Sequence, residues 1–167
     1  MVSLYWDGKS TAFFVTGKFF TEKKTKKIMN QPQLPALAVD AACSGNPGKM
    51  EFRAVIADTG TEVFHRGPYE QGTNNIGEFL ALVLGLAYLQ KYNLPWALYT
   101  DSVTALAWVR QKKCKSKLEF TDKNMELLFM IRKAEQWLRT HTWTTPLLKW
   151  DTREWGEIPA DFGRKSI

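Results

Sequence analysis

Four acidic residues occupy places in this chain where an isolated carboxylate is costly or is followed by a turn. Asp40 interrupts the apolar run 37–42, Glu78 precedes a long apolar stretch, Asp101 ends a short apolar run, and Asp161 lies near the end. An ionised carboxylate without a partner costs several kcal/mol in a low-dielectric interior. Each buried acid must therefore pair, take up a proton or bind a cation.

Divalent metal binding is the chemistry that four converging carboxylates support. Their mutual repulsion is tolerable only if cations lie among them, and oxygen-only ligands suit Mg²⁺ or Mn²⁺ rather than zinc. Two such ions about 3.5–4 Å apart serve phosphodiester hydrolysis, one activating water and the other stabilising the leaving oxygen. The fold must then bring the four acids together.

The first half of the chain predicts an antiparallel meander followed by a buried helix. The apolar run around Asp40, bounded by turn residues, predicts a buried strand, and residues 50–57 and 61–66 predict two more strands joined by short turns. Residues 76–91 are apolar on nearly every side, which is typical of a helix packed deep in a fold.

The second half alternates between strands and helices. It predicts a strand at 96–100, helices at 103–110 and 122–139, a strand at 145–150 and a short terminal helix within 156–165. The order β-β-β-α-β-α-α-β-α predicts an α/β fold, a five-stranded mixed sheet with helices packed on it. Trp108 and Trp150 are predicted to belong to the core.

Composition and charge predict a globular domain with a polyanionic partner. The chain has 167 residues, 44% hydrophobic and 24% charged, and a net charge of +6. Residues 1–35 hold six lysines and two acids, and they predict a short basic extension with a hairpin around Asp7-Gly8 and a linker. Residues 36–167 form the predicted catalytic domain. Clustered positive charge of this kind suits nucleic acid.

Other features exclude several classes of protein. The longest apolar run, 79–89, is about half of a bilayer span. Cys43 and Cys114 lack the spacing of a zinc site or a disulfide scaffold, so reduced thiols and a cytoplasmic location are predicted.

Four segments resemble the signature segments of type 1 ribonuclease H, in order and at suitable spacing. These are residues 40–48 (DAACSGNPG), 73–78 (TNNIGE), 100–102 (TDS) and 160–161 (AD). The ending, 149–165, is similar to a bacterial branch whose members often carry an N-terminal hybrid-binding domain.

The resemblance implies a ribonuclease H-like fold and a metal-dependent endonuclease. Such an enzyme cleaves the RNA strand of an RNA–DNA hybrid and leaves 5′-phosphate and 3′-hydroxyl ends. Asp40, Glu78, Asp101 and Asp161 would be the catalytic metal ligands, for two Mg²⁺ ions with substrate or for Mn²⁺. No membrane and no obligatory protein partner is implied.

The resemblance also implies contacts with the hybrid. RNA is distinguished by its 2′-hydroxyl, which the family reads near Cys43 and at the Asn46 and Glu78 positions. The positions of Thr73, Asn74 and Asn75 match family positions that contact the DNA phosphate or the minor groove. The run 110–117 has five cations in eight residues; in the family this region forms a basic protrusion that grips the hybrid, here with Lys112 and Lys113.

Each of these features also has a purely structural interpretation. Asn74 and Asn75 suit a helix cap, Cys43 suits a small buried filler, and the basic run suits a solvated loop.

One family residue has no counterpart in this chain. Family members place a histidine in the loop before the last aspartate, whereas this chain reads Asp151-Thr152-Arg153-Glu154 there. Glu154, or failing that Asp151, is predicted to take part of that role. Two other classes of protein remain open, a related integrase, resolvase or retroelement nuclease and a non-catalytic hybrid-binding module. The presence of all four acids favours the enzyme.

Overall fold

The computed structural model describes residues 30–163, and from Gln33 onward these belong to one compact unit. The predicted hairpin and most of the basic extension lie outside the described residues. Within them, no helix has the length and apolarity that a membrane span needs. The strands are β1 (Ala36–Gly45), β2 (Gly48–Ile56), β3 (Glu62–Gly72), β4 (Ala97–Thr100) and β5 (Leu147–Lys149); the helices are α1 (Asn74–Lys91), α2 (Val103–Arg110), α3 (Met125–Thr140) and α4 (Thr152–Trp155).

The five strands form one mixed sheet in the order β3-β2-β1-β4-β5. β1 pairs antiparallel with β2 and β2 with β3, whereas β1–β4 and β4–β5 are parallel. The predicted fold class, with its first three strands antiparallel and helices on the sheet, is therefore confirmed. β1 is the central strand of the sheet, which explains why its sequence is nearly all apolar.

The two faces of the sheet are covered differently. In β1, Leu37 and Val39 join the large core beneath the helices, whereas Ala36 and Ala38 alternate onto a smaller cluster on the opposite face. Helix α1 is buried through most of its length, as its apolar sequence predicts. The smaller cluster is completed from β4 and the C-terminal segment, by Tyr99, Trp150, Ile158 and Ala160.

Two boundaries differ from the sequence-based prediction for identifiable local reasons. β3 continues to Gly72 rather than ending at Arg66. Its pairing with β2 shifts register around Gly67-Pro68, as in a β-bulge. Helix α3 begins at Met125 rather than Asp122, because Asn124 holds the preceding turn: its Oδ1 accepts from Thr121 N at 2.7 Å.

The predicted terminal helix within 156–165 is wrong over its described part. The short helix α4 lies earlier, over Thr152–Trp155, and residues 156–163 contain no helix or strand. Gly156 ends α4 with a φ of 78°, and its carbonyl accepts a hydrogen bond from Trp150 Nε1 at 3.0 Å. Pro159 then removes a backbone donor, so the chain crosses the sheet face as an irregular segment.

Candidate metal-binding active site

The sheet register brings the first two acids side by side. β1 and β4 run parallel with Ala36 opposite Ala97 and Ala38 opposite Tyr99. Because parallel neighbours advance together, two further residues along each strand reach Asp40 and Asp101. Asp40 is only 7% exposed, whereas Asp101 follows the end of β4 and is half-buried.

Glu78 reaches the same place from the start of helix α1. Its carboxylate accepts a hydrogen bond from the backbone N–H of Ala41 at 3.1 Å and one from Thr100 Oγ1 at 3.4 Å. Gly77 makes this approach possible, since a Cβ there would lie 2.7 Å from Ala41 Cβ and 2.8 Å from Met50 Sδ. The missing side chain lets the helix contact the strand closely enough to deliver Glu78.

These three acids form a compact cluster. One carboxylate oxygen from each of Asp40, Glu78 and Asp101 lies within 4.8 Å of the others. Burial raises the pKa of Asp40 to about 6 and raises the pKa of Glu78 well above its ordinary range, and the neighbouring negative charges add to both effects. Burial also raises the pKa of Asp101, against the opposing influence of Lys149. A hard divalent cation fits this oxygen donor set and would offset the repulsion.

Asp161 approaches the cluster from the C-terminal segment but is not a member of the 4.8 Å group. Its charge contributes to raising the pKa of both Asp40 and Asp101, so it faces the same space. Its Oδ2 accepts from the N–H of Gly163 at 2.9 Å, and its own N–H donates to Ile158 O at 2.9 Å. The fourth acid is thus placed by a short turn rather than by a strand or long helix.

The loop at the position of the family histidine carries acidic residues, of which one has a charge that reaches the acid cluster. Glu154 lies exposed in α4, where its N–H donates to the Asp151 carboxylate at 3.2 Å. Glu157, which sequence analysis did not single out, is the loop acid whose charge helps to raise the pKa of Asp101. The role predicted for Glu154 stays a prediction.

The residues predicted to contact the hybrid lie at the β1–β2 hairpin and at the start of α1. Cys43 Sγ donates to Gly72 O at 3.4 Å, which joins the β1–β2 hairpin to the residue preceding Thr73. Asn46 is exposed at the hairpin tip. The structure thus presents the hairpin and the start of α1 together.

The N-cap of α1 is neither of the two asparagines that were considered for that position. Thr73 is the N-cap, because its Oγ1 accepts from Ile76 N at 3.3 Å. Asn74 and Asn75 are exposed in the first turn. Their side chains are therefore not needed as the N-cap and remain available to a ligand.

The basic segment, residues 110–117, follows helix α2. At 1.5 Å per residue, the eight residues of α2 carry the chain about 12 Å from the Asp101 end. Lys112 is exposed, with its Nζ 5.9 Å from the centre of the Trp143 ring. Lys113 lies 4.0 Å from Glu135, a buried acid that also accepts from Cys114 N at 3.2 Å. Glu135 thus anchors this segment, which explains an acid on the inner side of α3.

Two cations near the acids were also missed from sequence. Lys149 follows Leu148 in β5 and pairs across the sheet with Thr100, which places its charge beside Asp101. Arg53 is the direct cross-strand partner of Asp40. A cation in the otherwise apolar part of β2 was the available signal, but its target lies more than a hundred residues away in sequence.

The chain belongs to the RNase H family. The family model described as RNase H matches residues 33–145, which is more than half of the chain. A Ribonuclease H of Polaromonas naphthalenivorans (strain CJ2) is 34% identical over 91 residues, 54% of this chain and 56% of that protein. A Ribonuclease H of Trichodesmium erythraeum (strain IMS101) is 30% identical over 137 residues, 73% of this chain and 82% of that protein. The chain thus spans little more than half of the first relative and about four fifths of the second.

Solved structures give weaker similarities. LC11-RNase H1, isolated from compost by a metagenomic approach, is 20% identical with a TM-score of 0.48, over 74% of this chain and 89% of that chain. A structure of LC11-RNase H1 in complex with an RNA/DNA hybrid has a TM-score of 0.45 at 20% identity, over 69% of this chain and 83% of that chain.

Proposed function

We propose that this protein is an endoribonuclease that hydrolyses the RNA strand of RNA–DNA hybrids with two divalent metal ions. The observation that carries the proposal is the cluster of the buried Asp40 and Glu78 with the half-buried Asp101. One carboxylate oxygen from each lies within 4.8 Å of the others, in a chain of the RNase H family. The products would carry 5′-phosphate and 3′-hydroxyl ends.

Asp40, Glu78, Asp101 and Asp161 would hold the metal ions, with Mg²⁺ or Mn²⁺ as the fitting cations. When bound, the ions would make an attacking water more acidic and neutralise charge on the leaving oxygen. The protein's own contribution is a rigid and partly desolvated arrangement of acids. Asp40 is fixed in the central strand, and Glu78 is fixed by the Ala41 N–H and Thr100.

The raised proton affinity of the acids makes metal binding dependent on pH. Asp40 has a pKa of about 6 without metal, so a growing fraction of the protein holds a proton there as the pH falls below 6. A metal ligand must be deprotonated, so cation and protons compete for the same oxygens. Activity should therefore fall in acid.

Hybrid binding would use the surfaces on either side of the acid cluster. The hairpin at Cys43 and Asn46, with the exposed Asn74 and Asn75, offers neutral polar groups that suit the 2′-hydroxyl and the minor groove. The basic segment offers cations for the phosphates, and their contribution should depend on salt. The proposal includes a cytoplasmic site of action.

The test uses three labelled duplexes of one sequence, an RNA–DNA hybrid, a DNA duplex and an RNA duplex. Each is incubated with Mg²⁺, Mn²⁺ or EDTA, and the product ends are mapped by their susceptibility to phosphatase and ligase. The proposal predicts metal-dependent cleavage of the hybrid alone. Binding of the hybrid without cleavage would identify a non-catalytic hybrid-binding module, and cleavage of the DNA duplex would identify a related nuclease of another class.

A further inference from the structure

We infer that Arg53 is a positioning residue that sets the place of Asp161 in the acid cluster. This rests on the proposed function insofar as Asp161 serves as a metal ligand. Arg53 lies in β2, opposite Asp40 in the sheet register. Its side chain makes hydrogen bonds to the C-terminal segment. It was not among the residues that the sequence pattern indicated.

The contacts of Arg53 converge on two consecutive carbonyls. Its Nε donates to Ala160 O at 2.8 Å, and its Nη2 donates to Asp161 O at 2.6 Å. Its guanidinium carbon lies 4.9 Å from the centre of the Phe162 ring. One side chain therefore contacts three successive residues, and Asp161 is the middle one.

Cross-strand pairing links the contacts of Arg53 to the strand that carries Asp40. Asp40, Arg53 and His65 are register partners on β1, β2 and β3, so their side chains emerge on the same face. Phe162 lies beside both Arg53 and His65, and its ring centre is 6.1 Å from that of His65. The strand pair that carries Asp40 thereby also carries the backbone of Asp161.

The chemistry calls for arginine in particular. Two carbonyls of adjacent residues need two donors at a fixed spacing, which the planar guanidinium provides. A lysine keeps the charge but supplies one compact ammonium on a flexible stem. Segment 156–163 has no helix or strand of its own, so loss of this pair of hydrogen bonds should loosen Asp161.

The matched control is Glu62, which also contacts Arg53. Its Oε2 lies 3.4 Å from Nη1 at a half-exposed position, so E62Q removes an ion pair and leaves both carbonyl contacts. The variants are R53K, D161N, the double variant R53K/D161N and E62Q. They are compared by kcat, KM, the Mg²⁺ concentration at half-maximal rate, and amide hydrogen exchange over 158–163.

R53K should lower kcat about tenfold or more. Weakening this pair of contacts should raise the activation free energy by about 1.4 kcal/mol, which corresponds to a factor of ten in rate. The KM of this variant for the hybrid should change less than about twofold, and its Mg²⁺ requirement should rise. Amide exchange over 158–163 should accelerate while β1 stays protected. In the D161N background, R53K should add almost nothing to the loss of kcat, because the positioned group is already gone. E62Q should resemble the parent protein.

The inference is overturned if R53K keeps its kcat, if the R53K and D161N losses multiply, or if exchange over 158–163 does not change. Should R53K fail to fold, the parent protein still decides the matter by NMR. Arg53 Nε–H should exchange slowly and show coupling through its hydrogen bond to the Ala160 carbonyl carbon, and a rapidly exchanging, uncoupled Nε–H refutes the contact. Exchange and coupling need no cleavage, so they separate failure of this inference from failure of the proposed ribonuclease activity.

Discussion

The acids of the site are held in two different ways. Asp40 and Glu78 belong to a central strand and to a helix packed against it, and both are nearly inaccessible to solvent. Asp161 lies on an irregular segment, half-buried, and its backbone depends on two hydrogen bonds from Arg53. Asp40 and Glu78 are placed by the hydrophobic core, whereas Asp161 is placed by a short turn and by polar contacts from Arg53.

Because the acids are held differently, we expect them to contribute differently to cleavage. Acids fixed by the core cannot move away from one another, so they keep their repulsion and their raised proton affinity until a cation arrives. Asp161 follows the buried Ala160 on a segment without a helix or strand of its own, so a local adjustment of its backbone costs less than a movement of the central strand. We therefore expect substitutions in the core-held group to affect cleavage most, and those further from it to affect cleavage less.

The largest effect is expected for Asp40→Asn. The amide keeps the size of the side chain but removes a negative ligand from the centre of the cluster, so cleavage should fall by about 10³-fold or more, roughly 4 kcal/mol of activation free energy. Initial rates on the labelled hybrid measure it. Asp58→Asn, at an exposed position in the turn after β2, is the control and should leave the rate unchanged. A D40N protein within tenfold of the parent would remove Asp40 from the site.

A smaller loss is expected for Asp161→Asn. Because this acid lies outside the compact group of three and can be partly replaced by solvent, the rate should fall about 10- to 100-fold, or about 1.4–2.8 kcal/mol. Raising the concentration of Mn²⁺ should recover part of that loss but none of the loss in D40N. Equal losses in the two variants, with equal response to Mn²⁺, would abolish the distinction between the two groups.

Substitution of the basic segment should affect binding rather than chemistry. In the variant K112A/K113A/K115A/K117A, hybrid affinity should fall about tenfold at low salt, and the slope of log affinity against log salt should become shallower by about 2. Lys113 should contribute least, since Glu135 already pairs with it. Fluorescence anisotropy at several salt concentrations measures the slope, and K91A/K133A on the helices is the control. An unchanged slope contradicts phosphate contacts here.

The smallest effect is expected for Glu154→Gln. Glu154 is exposed in the loop, and we expect it to take only part of the role of the family histidine. Turnover should therefore fall about two- to threefold, below 1 kcal/mol. Glu157→Gln is the matched variant, because its charge reaches Asp101. Steady-state turnover across a Mg²⁺ series compares them. Unchanged turnover and metal dependence in E154Q would exclude a role for Glu154, and a larger loss in E157Q would transfer that role to Glu157.

The part of the site that is predictable from sequence is the part that the core positions. An acid inside an apolar strand is visible as a pattern, and the buried helix that carries Glu78 is visible from its apolar sequence. The family match over 33–145 covers Asp40, Glu78 and Asp101 and ends before Asp161. Local periodicity and the family pattern both describe the strand-and-helix framework.

The remaining features depend on contacts that no local pattern contains. Arg53 bonds to carbonyls more than a hundred residues away, and backbone acceptors leave no trace in side-chain sequence. The predicted terminal helix fails because Gly156 and Pro159 interrupt it while Trp150 holds the Gly156 carbonyl. Glu135 shows as an imperfection of the α3 pattern, but its partner, the backbone N–H of Cys114, lies in a segment without regular structure.

The central claim is that buried, mutually repelling acids form a site that a cation stabilises. Proton linkage determines how the metal-free stability of the protein changes with pH. Burial raises the pKa of Asp40 from 3.8 to about 6, so the folded protein holds a proton that the unfolded chain releases earlier. Metal-free stability should then be unaffected by this group below about pH 4 and should decline as the pH rises to 6, by up to about 3 kcal/mol at 1.36 kcal/mol per pKa unit. The D40N protein lacks this decline.

Thermal unfolding of the parent and D40N proteins, with and without Mn²⁺, tests this claim most directly. At pH 7.5 without metal, D40N should melt several degrees above the parent protein, and at pH 4 the two should coincide. Saturating Mn²⁺ should stabilise the parent, by about 2.7 kcal/mol at 100 times its Kd, and should stabilise D40N far less. A metal-free D40N protein less stable than the parent at pH 7.5, or one that gains as much from Mn²⁺, would contradict the account.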